Sequence, residues 1–499
     1  MLFNSYEFIF VFLPISLLVY FFLNYRCYTF IAKAWLVLSS LFFYSWWNVA
    51  YLPLILASIL FNYLLGSLLS SDRPRGRSLW FVKDEPEGPS PWSARRLILI
   101  LGICTNVALL AYFKYADFLI ANVNLILSSH FRLLGLTLPL AISFFTFQQI
   151  AYLVDAYRGE AREYDLLNYT LFVTFFPHLI AGPIVHHKEM MPQFKSLENK
   201  SWNYENVARG LFLFSMGLFK KVVIADTLAV WATWGFDTAP ALSFFEAWIV
   251  SLSYTFQIYF DFSGYTDMAL GLALMFNIRL PINFNSPYKS LNIQDFWRRW
   301  HMTLSRFLRN YIYIPLGGNR RGQLRLYNNL LATFLIGGLW HGAAWTFVFW
   351  GFLHGLALVV HRIWQKTNIK MNRILAWLLC FNFVNICWVF FRARSWGDAL
   401  KVLQGMAGMN GVVLPQWFAA RLGSLYSQGI AFGNLALENA SRSVLVLAAC
   451  FLIALFTRNS MEMEERFRPN LLHAAFAGLI AIVAILSMTR VSEFLYFNF

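Results

Sequence analysis

Long apolar runs constrain the fold of this chain more than any other feature of its sequence. Such runs recur throughout the 499 residues. A membrane-crossing helix needs roughly 20 mainly apolar residues, and since several runs are short or interrupted, we expect about 11 to 13 membrane segments. The candidate segments are 6–23, 30–48, 51–70, 97–113, 138–156, 167–185, 208–232, 244–275, 327–341, 343–362, 372–392, 442–457 and 472–489.

The composition agrees with an integral membrane protein. Charged residues make up 13% of the chain and hydrophobic residues 59%. A soluble protein of average composition carries about 25% charged residues. We therefore predict an all-α polytopic membrane protein that forms one domain over residues 1–499, without an internal repeat or a sizeable soluble domain.

The distribution of positive charge predicts the orientation. Lys and Arg outnumber Asp and Glu by 40 to 25, and in membrane proteins such an excess first reflects cytoplasmic loops. The loop with Arg26 and Lys33 and the basic loop at 71–96 both fit the cytoplasm, which places the N-terminus outside. The loop at 458–470 holds three arginines and three glutamates. It also fits the cytoplasm, so we expect the C-terminus outside as well.

Two other features of the sequence indicate what the chain lacks. Its five cysteines are scattered without a Cys-x-x-Cys spacing, so we predict neither a disulfide framework nor a zinc site. The first apolar run has no basic flank and no small-residue cleavage site, and it reads as a membrane helix.

The stretch from Arg279 to Arg325 is the most basic long segment. It holds nine basic residues and a single acid, Asp295, with Trp and Tyr interleaved. Because these aromatic residues favour the headgroup level, we predict a cytoplasmic-side interfacial or re-entrant element that breaks near Pro315. It is either a loop on acidic lipid or the mouth of a site for a phosphorylated ligand, since arginine binds two phosphate oxygens at once. The candidate substrate- or donor-binding residues here are Arg298, Arg299, Ser305, Arg309 and Asn319, and elsewhere in the chain they are Trp340, Gln257 and Asp261.

The run "GGLWHGAAWTFVFWGFLHG", from Gly337 to Gly355, carries two histidines in an apolar setting. Small residues on either side of His341 let a ligand or another backbone approach closely. An ionisable group at membrane depth is a functional-site hypothesis by default, and imidazole titrates near neutral pH. A buried imidazole bonded to a carbonyl explains His341 equally well. His354 lies thirteen residues later on a different helix face, so we interpret it as structural.

Two further polar positions bear on His341. His301 in "RRWHMTLS" precedes it by forty residues, and a turn at 315–318 would allow both imidazoles to reach one cavity. Asp261 and Gln257 lie in a polar island, "YTFQIYFDFSGYTDMALG". Such a carboxylate orients a histidine, lines a polar tunnel, or satisfies the free backbone groups of a broken helix. Both interpretations stay open, and no histidine cluster predicts a metal site.

Several long blocks carry a resemblance to a known family. They include "LPLAISFFTFQQIAYLVDAYRG", "FFPHLIAGPIVHHKEM", "FNSPYKSLNIQDFWRRWHMTLSRFLRNYIYIPLGGNRRG", "GGLWHGAAWTFVFWGFLHG" and the closing "EFLYFNF". With these blocks the chain resembles the membrane-bound O-acyltransferase superfamily, most closely its bacterial branch that acetylates exopolysaccharides such as alginate or cellulose. The resemblance covers nearly the whole chain.

The resemblance implies a fold and a set of site residues. The fold would be a ring of tilted helices around a central tunnel, with its core at about 138–362. The essential histidine of the Trp-His-Gly motif would be His341, next to Trp340, and the upstream histidine would be His301. His341 would act as general base, and His301 would orient the donor or hydrogen-bond the developing oxyanion. No tightly bound cofactor is implied.

The resemblance also implies substrates and partners. The donor would be cytosolic acetyl-CoA, and a periplasmic or surface-anchored acetyltransferase would complete transfer to the polymer. The protein would lie in the bacterial inner membrane, in contact with membrane lipid, and no nucleic-acid module is visible. Two alternatives remain: D-alanyl transfer to teichoic acid from a carrier protein, and a transporter of acyl groups or lipids without chemistry.

Overall fold

The computed structural model describes residues 1–71, 94–163, 165–416, 419–428, 430–433, 435–437, 439–488 and 494–495. Helices dominate these residues, which confirms the predicted all-α class. The α-helices are α1 (Leu13–Tyr25), α2 (Thr29–Ser45), α3 (Leu52–Ser71), α4 (Ala94–Leu127), α5 (Ile142–Arg158), α6 (Leu166–Thr174), α7 (Phe176–Leu179), α8 (His187–Lys195), α9 (Tyr204–Phe219), α10 (Asp226–Thr233), α11 (Phe244–Met275), α12 (Ile293–Arg299), α13 (Met302–Leu308), α14 (Gln323–His341), α15 (Trp345–Trp364), α16 (Arg373–Arg392), α17 (Trp396–Met406), α18 (Ala419–Leu422), α19 (Ala440–Phe456), α20 (Ser460–Glu465) and α21 (Leu471–Leu486).

Three minor types of regular structure accompany these helices: a pair of strands, π-helical segments, and 3₁₀ segments at Val49–Tyr51, Glu198–Lys200, Pro287–Lys289, Gln365–Thr367 and Gly423–Gln428. Strands β1 (Val412–Pro415) and β2 (Ile430–Gly433) pair in parallel, with Val412 opposite Ile430. π-Helical segments occupy Phe8–Phe12, Lys220–Ala225, Trp234–Thr238 and Arg309–Tyr313. The basic stretch of the sequence therefore becomes two short helices, α12 and α13, followed by a π-helical turn.

Apolar length accounts for most of the helices. Within the described ranges, five helical stretches are long and apolar enough to cross a membrane: Phe8–Tyr25, Val49–Ser70, Ala94–Leu127, Trp345–Thr367 and Arg373–Arg392. Three shorter apolar helices are α2, α19 and α21. The larger number of segments expected from the sequence stays a prediction. The basic loop at 71–96 that supports the orientation lies mostly outside the described residues.

Two predicted segments are wrong in their extent. The predicted segment 97–113 ends before Lys114, but α4 continues to Leu127, and the Lys114 ammonium within it donates to the Ser143 hydroxyl at 3.2 Å. Segment 167–185 is divided into α6 and α7 at Phe175, whose ψ of 109° is not helical. Pro177 lies in the first turn of α7, where its missing N–H costs nothing.

The first of two groups of helices comprises Met1–Leu211 and Ala269–Pro281. Its core contains packed aromatic rings, with Phe8 5.7 Å from Phe43 and 6.1 Å from Phe176 between ring centroids. Asn62 on α3 and Asn106 on α4 are buried and exchange amide hydrogen bonds of 3.2 and 2.7 Å. Because both amides are satisfied by each other, α3 and α4 can pack with polar groups inside the apolar core.

The second group comprises Phe212–Met268 and Ile282–Phe499, and it contains every candidate site residue. Within it, α14 and α15 approach so closely that side chains do not fit between them. A Cβ on Gly338 would lie 2.3 Å from the Phe347 carbonyl oxygen, and one on Gly351 would lie 2.3 Å from that of Phe334. The small residues near His341 therefore serve a close approach of two backbones.

Candidate active site

His341 is the last residue of α14, where the chain leaves the helix through Gly342. Its ring is surrounded by aromatic side chains, with centroid distances of 4.9 Å to Trp340, 5.1 Å to Trp350 and 5.1 Å to Phe391. The residue is 3% exposed. These contacts hold the imidazole in one position. The tunnel that the family resemblance implies stays a prediction.

His301 lies between α12 and α13 in a left-handed conformation, with φ 43° and ψ 55°. For a residue other than glycine such a conformation costs about 1–3 kcal/mol and persists only where the surroundings enforce it. The ring is fully buried and meets Phe262 edge to face, 4.8 Å between centroids. Trp300, in an extended conformation, ends α12, and the left-handed residue His301 precedes α13 with its imidazole in the core of the second group.

The two histidines meet at Trp340. The Trp340 ring centroid lies 6.1 Å from that of His301 and 4.9 Å from that of His341. Trp340 itself is 4% exposed. The structure thus brings the two predicted catalytic residues, forty positions apart in sequence, against one indole.

Asn283 determines which nitrogen of His301 carries the proton. The amide oxygen of Asn283 lies 3.2 Å from the Thr303 backbone nitrogen and 3.0 Å from the Thr303 hydroxyl. A backbone N–H can only donate, so the Asn283 atom that faces it is the oxygen and not the nitrogen. The same oxygen lies 3.1 Å from Nδ1 of His301. Since an amide oxygen only accepts, Nδ1 of His301 carries hydrogen, and Nε2 of the neutral ring is an acceptor.

The predicted donor-binding residues occupy two environments. Arg298, Arg309 and Asn319 are exposed. Arg299 is partly exposed, donates to Asp295 at 3.0 Å and lies 3.3 Å from the Asn285 carbonyl oxygen. These groups can meet a soluble ligand, whereas the two histidines are buried.

Ser305 and Gln257 place polar atoms inside the second group. Ser305 Oγ on α13 and Gln257 Oε1 on α11 are both buried, and neither has a hydrogen-bond partner within the part of the chain that the structure describes. A buried polar atom without a partner costs about 1–3 kcal/mol. The role of both residues in binding a substrate or donor stays a prediction.

Asp261 is held by lysine and not by histidine. Its Oδ1 lies 2.6 Å from Lys221 Nζ, and its Oδ2 accepts the Leu495 backbone N–H at 3.1 Å. Lys221 also pairs with Asp226 at 2.9 Å, and the next lysine, Lys220, pairs with Asp267 at 2.7 Å. The helix carrying both carboxylates, α11, is continuous over 32 residues, so the interpretation that Asp261 satisfies a broken helix is wrong. Two lysine–aspartate pairs link the π-helical segment to α11.

Sequence reasoning missed Asn283, Lys220 and Lys221. The lysines had a signal, because two adjacent ammonium groups inside the apolar run 208–232 are functional-site candidates by default. Asn283 had none. It acts on His301 only because of the left-handed turn, which apolar periodicity does not report.

Other histidines have structural partners. The Trp297 indole N–H donates to Nδ1 of His354 at 3.1 Å, which agrees with a structural role. His187 Nε2 lies 3.3 Å from Glu163 in the loop before α6. Burial raises the pKa of Glu163, but the contacts with His187 and Lys195 outweigh it, so the pKa is lowered. Among the described residues, no group of three or more His, Cys, Asp or Glu side chains is placed to hold a metal ion.

A family model and several known proteins that resemble this chain all indicate the same family. A family model described as "MBOAT, membrane-bound O-acyltransferase family" matches residues 155–395. The chain is similar to a "Peptidoglycan O-acetyltransferase" of Helicobacter pylori, 49% identical over 539 aligned positions that cover 100% of this chain and 98% of that protein.

The names of more distant relatives refer to other polymers. A "Probable alginate O-acetylase AlgI" of Pseudomonas aeruginosa is 38% identical over 88% of this chain and 80% of that protein. A "Teichoic acid D-alanyltransferase" of Streptococcus thermophilus is 27% identical over 47% of this chain and 59% of that protein. The similarity that spans most of this chain is therefore to O-acetyltransferases and O-acetylases.

Proposed function

The chain belongs to the membrane-bound O-acyltransferase family, and on that premise we propose that it transfers an acetyl group to hydroxyl groups of a bacterial cell-envelope polysaccharide. Members of this family are multi-pass membrane enzymes that transfer acyl groups to hydroxyl oxygens. Membership therefore argues against the alternative of a transporter without chemistry. The observation that supports the site best is the convergence of His301 and His341 on Trp340.

The acceptor we favour is the glycan of peptidoglycan. The sequence alone indicates alginate or cellulose, but the peptidoglycan O-acetyltransferase matches the whole chain at 49% identity, against 38% over 88% for the alginate O-acetylase. D-alanyl transfer is the second candidate. Its relatives align with half of this chain or less, as the 47% covered by the Streptococcus thermophilus enzyme illustrates.

In the proposed reaction His341 is the general base. It takes the proton of an acceptor hydroxyl while that oxygen attacks the thioester carbonyl carbon of acetyl-CoA. The new C–O bond forms, the C–S bond breaks, and the CoA thiolate leaves and takes up a proton. General-base help of this kind contributes about 10²–10⁴-fold to the rate, and the aromatic contacts of His341 fix the ring for it.

His301 would act through its Nε2 atom as a hydrogen-bond acceptor. With Nδ1–H directed at Asn283, the neutral ring has no N–H left to donate to an oxyanion. It can orient the acceptor hydroxyl beside His341. A donor role toward the oxyanion would need a second proton on the ring.

Asn283→Leu is expected to lower kcat about 10–100-fold, the usual cost of losing the partner that orients a functional histidine. KM should change little, because Asn283 acts through His301. The measurement is steady-state acetyl transfer by purified protein, together with nitrogen NMR of the histidine tautomer.

Two variants test whether this effect is specific. Asn283→Asp keeps an acceptor oxygen and should retain most of kcat, whereas Thr303→Val removes one donor to the same oxygen without touching His301. If Thr303→Val loses as much kcat as Asn283→Leu, Asn283 only stabilises the turn.

The proposed topology follows the distribution of charge. We place the protein in the inner membrane with both termini outside, acetyl-CoA entering from the cytosol beside Arg298, Arg299 and Arg309. A periplasmic or surface-anchored acetyltransferase would supply the acceptor hydroxyl at His341, receive the acetyl group there as an ester, and complete the transfer to a hydroxyl of the glycan. Arginine suits the phosphates of CoA because its planar group binds two oxygens at once.

The test uses the full chain in proteoliposomes with acetyl-CoA labelled in its acetyl group. We expect release of free CoA thiol and acetyl esters on peptidoglycan fragments when the partner acetyltransferase is supplied. Alginate oligomers and a D-alanyl carrier protein with teichoic acid serve as competing substrates. Esters on alginate alone would reassign the acceptor, alanyl esters would reassign the acyl group, and an absence of thiol release would reject acetyl-CoA as donor.

A further inference from the structure

A cleft outside the candidate active site combines apolar walls with a basic rim. It has a volume of about 420 Å³ and lies among α9, α11, α19 and α21. Its walls include Met216, Phe219, Ile453 and Phe476. A volume of this size falls within the roughly 300–1,000 Å³ of ordinary small-molecule sites.

A second cleft of about 330 Å³ shares residues with the first. Arg458, Met463 and Phe476 line both, and Arg466 lines the second alone. The two clefts therefore form a continuous surface that is apolar toward α21 and basic toward the loop before it.

The charge of this surface is positive. Among the described residues that line the two clefts there is no Asp or Glu. Lys220 at the rim is neutralised by Asp267. Arg458 and Arg466 are exposed, and within the described parts of the chain no carboxylate lies within ion-pair distance of either. Arg458 and Arg466 thus border an apolar cleft without an ion-pair partner among the described residues, while the glutamates of the same loop, Glu462, Glu464 and Glu465, lie outside the cleft lining.

The position of the arginines along the chain places them at the headgroup level. Helix α19 ends at Phe456, two residues before Arg458, and α21 begins at Leu471, five residues after Arg466. Both helices are apolar and both line the first cleft. Long basic side chains near the ends of apolar helices reach toward lipid headgroups, and basic pockets between such helices on the cytoplasmic side, where the proposed topology puts this loop, bind acidic headgroups.

We propose that this surface binds one anionic phospholipid, with the phosphate between Arg458 and Arg466 and an acyl chain in the cleft walled by Met216, Phe219 and Phe476. A soluble phosphate would use the arginines but not the apolar walls. A neutral lipid would use the walls but not the arginines. The combination selects an acidic lipid, and it does so independently of acyl transfer.

Native mass spectrometry of the full chain tests the proposal, with phosphatidylglycerol and phosphatidylcholine as the probes. Arg458→Gln with Arg466→Gln should weaken retention of phosphatidylglycerol about 30-fold, since each basic residue near the surface contributes about five-fold. Both side chains are exposed, so the variant should fold. The matched control is Arg373→Gln with Arg442→Gln, which removes the same charge from exposed positions outside the clefts.

A second variant separates a lipid from a free phosphate. Ala454→Phe fills the buried end of the first cleft without altering charge, and it should also weaken retention of phosphatidylglycerol. Loss in both variants but not in the control supports the proposal. Loss with the arginine variant alone means that the surface binds a phosphate group only, and equal loss in the control means unspecific attraction. Either result overturns it, as does equal retention of phosphatidylcholine.

Discussion

His341→Ala is expected to reduce acyl transfer at least 10²-fold, and up to about 10⁴-fold, in a protein that still folds and inserts into membranes. The reason is chemical. The acceptor hydroxyl would lose the base that removes its proton, and no neighbouring ring replaces it, because Trp340, Trp350 and Phe391 offer aromatic faces and edges. Thiol release from labelled acetyl-CoA by purified protein measures the loss.

His354→Gln is the matched control for this prediction. His354 is also a fully buried histidine of the α14–α15 pair, but it accepts a hydrogen bond from Trp297. Its replacement should lower thermal stability and leave transfer per folded molecule close to wild type. Full activity of His341→Ala, or equal loss of activity in both variants at equal stability, would contradict the assignment of His341 as base.

Apolar length predicted the positions of helices better than their interruptions. Segment 244–275 coincides with α11, and 372–392 differs from α16 by one residue. Local hydropathy contains this information, because a helix in lipid satisfies its own backbone groups. Local hydropathy does not show that α4 extends past Lys114, a charged residue inside an apolar helix, or that the backbone of Phe175 separates α6 from α7.

For the candidate site too, the sequence predicts which residues matter better than it predicts their contacts. His301, Trp340 and His341 were predicted as a group, but the prediction rested on a family resemblance and on a turn that spacing merely allowed. The contribution of Asn283 depends on tertiary structure, because its amide reaches His301 only through a left-handed backbone. Asp261 was identified as important without its partner, since nothing in the sequence pairs a residue of α11 with a lysine forty positions earlier.

Lys221→Met is expected to destabilise the protein by about 3–5 kcal/mol, the usual cost of leaving a buried charge without its partner. Lys221 and Asp261 are 3% and 1% exposed. Without the ammonium, the Asp261 carboxylate would keep the Leu495 N–H but lose its counter-charge in an apolar core. The loss of the ammonium destabilises the Asp226 carboxylate less, because water reaches its partly exposed side chain. Thermal and denaturant unfolding in detergent measure the change.

Two further variants distinguish buried charge from lost packing. Lys221→Met combined with Asp261→Asn removes both charges at nearly constant volume and should recover most of the stability, since a neutral pair carries no desolvation cost. Lys188→Met breaks the half-exposed pair with Glu160 and should cost less than about 1 kcal/mol. If the double variant is as unstable as Lys221→Met alone, the lysine stabilises the protein through its methylene contacts, and the pairing with α11 would be incidental to the fold. Recovery would instead identify the charge pair itself as the constraint that fixes α11 against the π-helical segment and, through Phe262 on the same helix, supports the ring of His301.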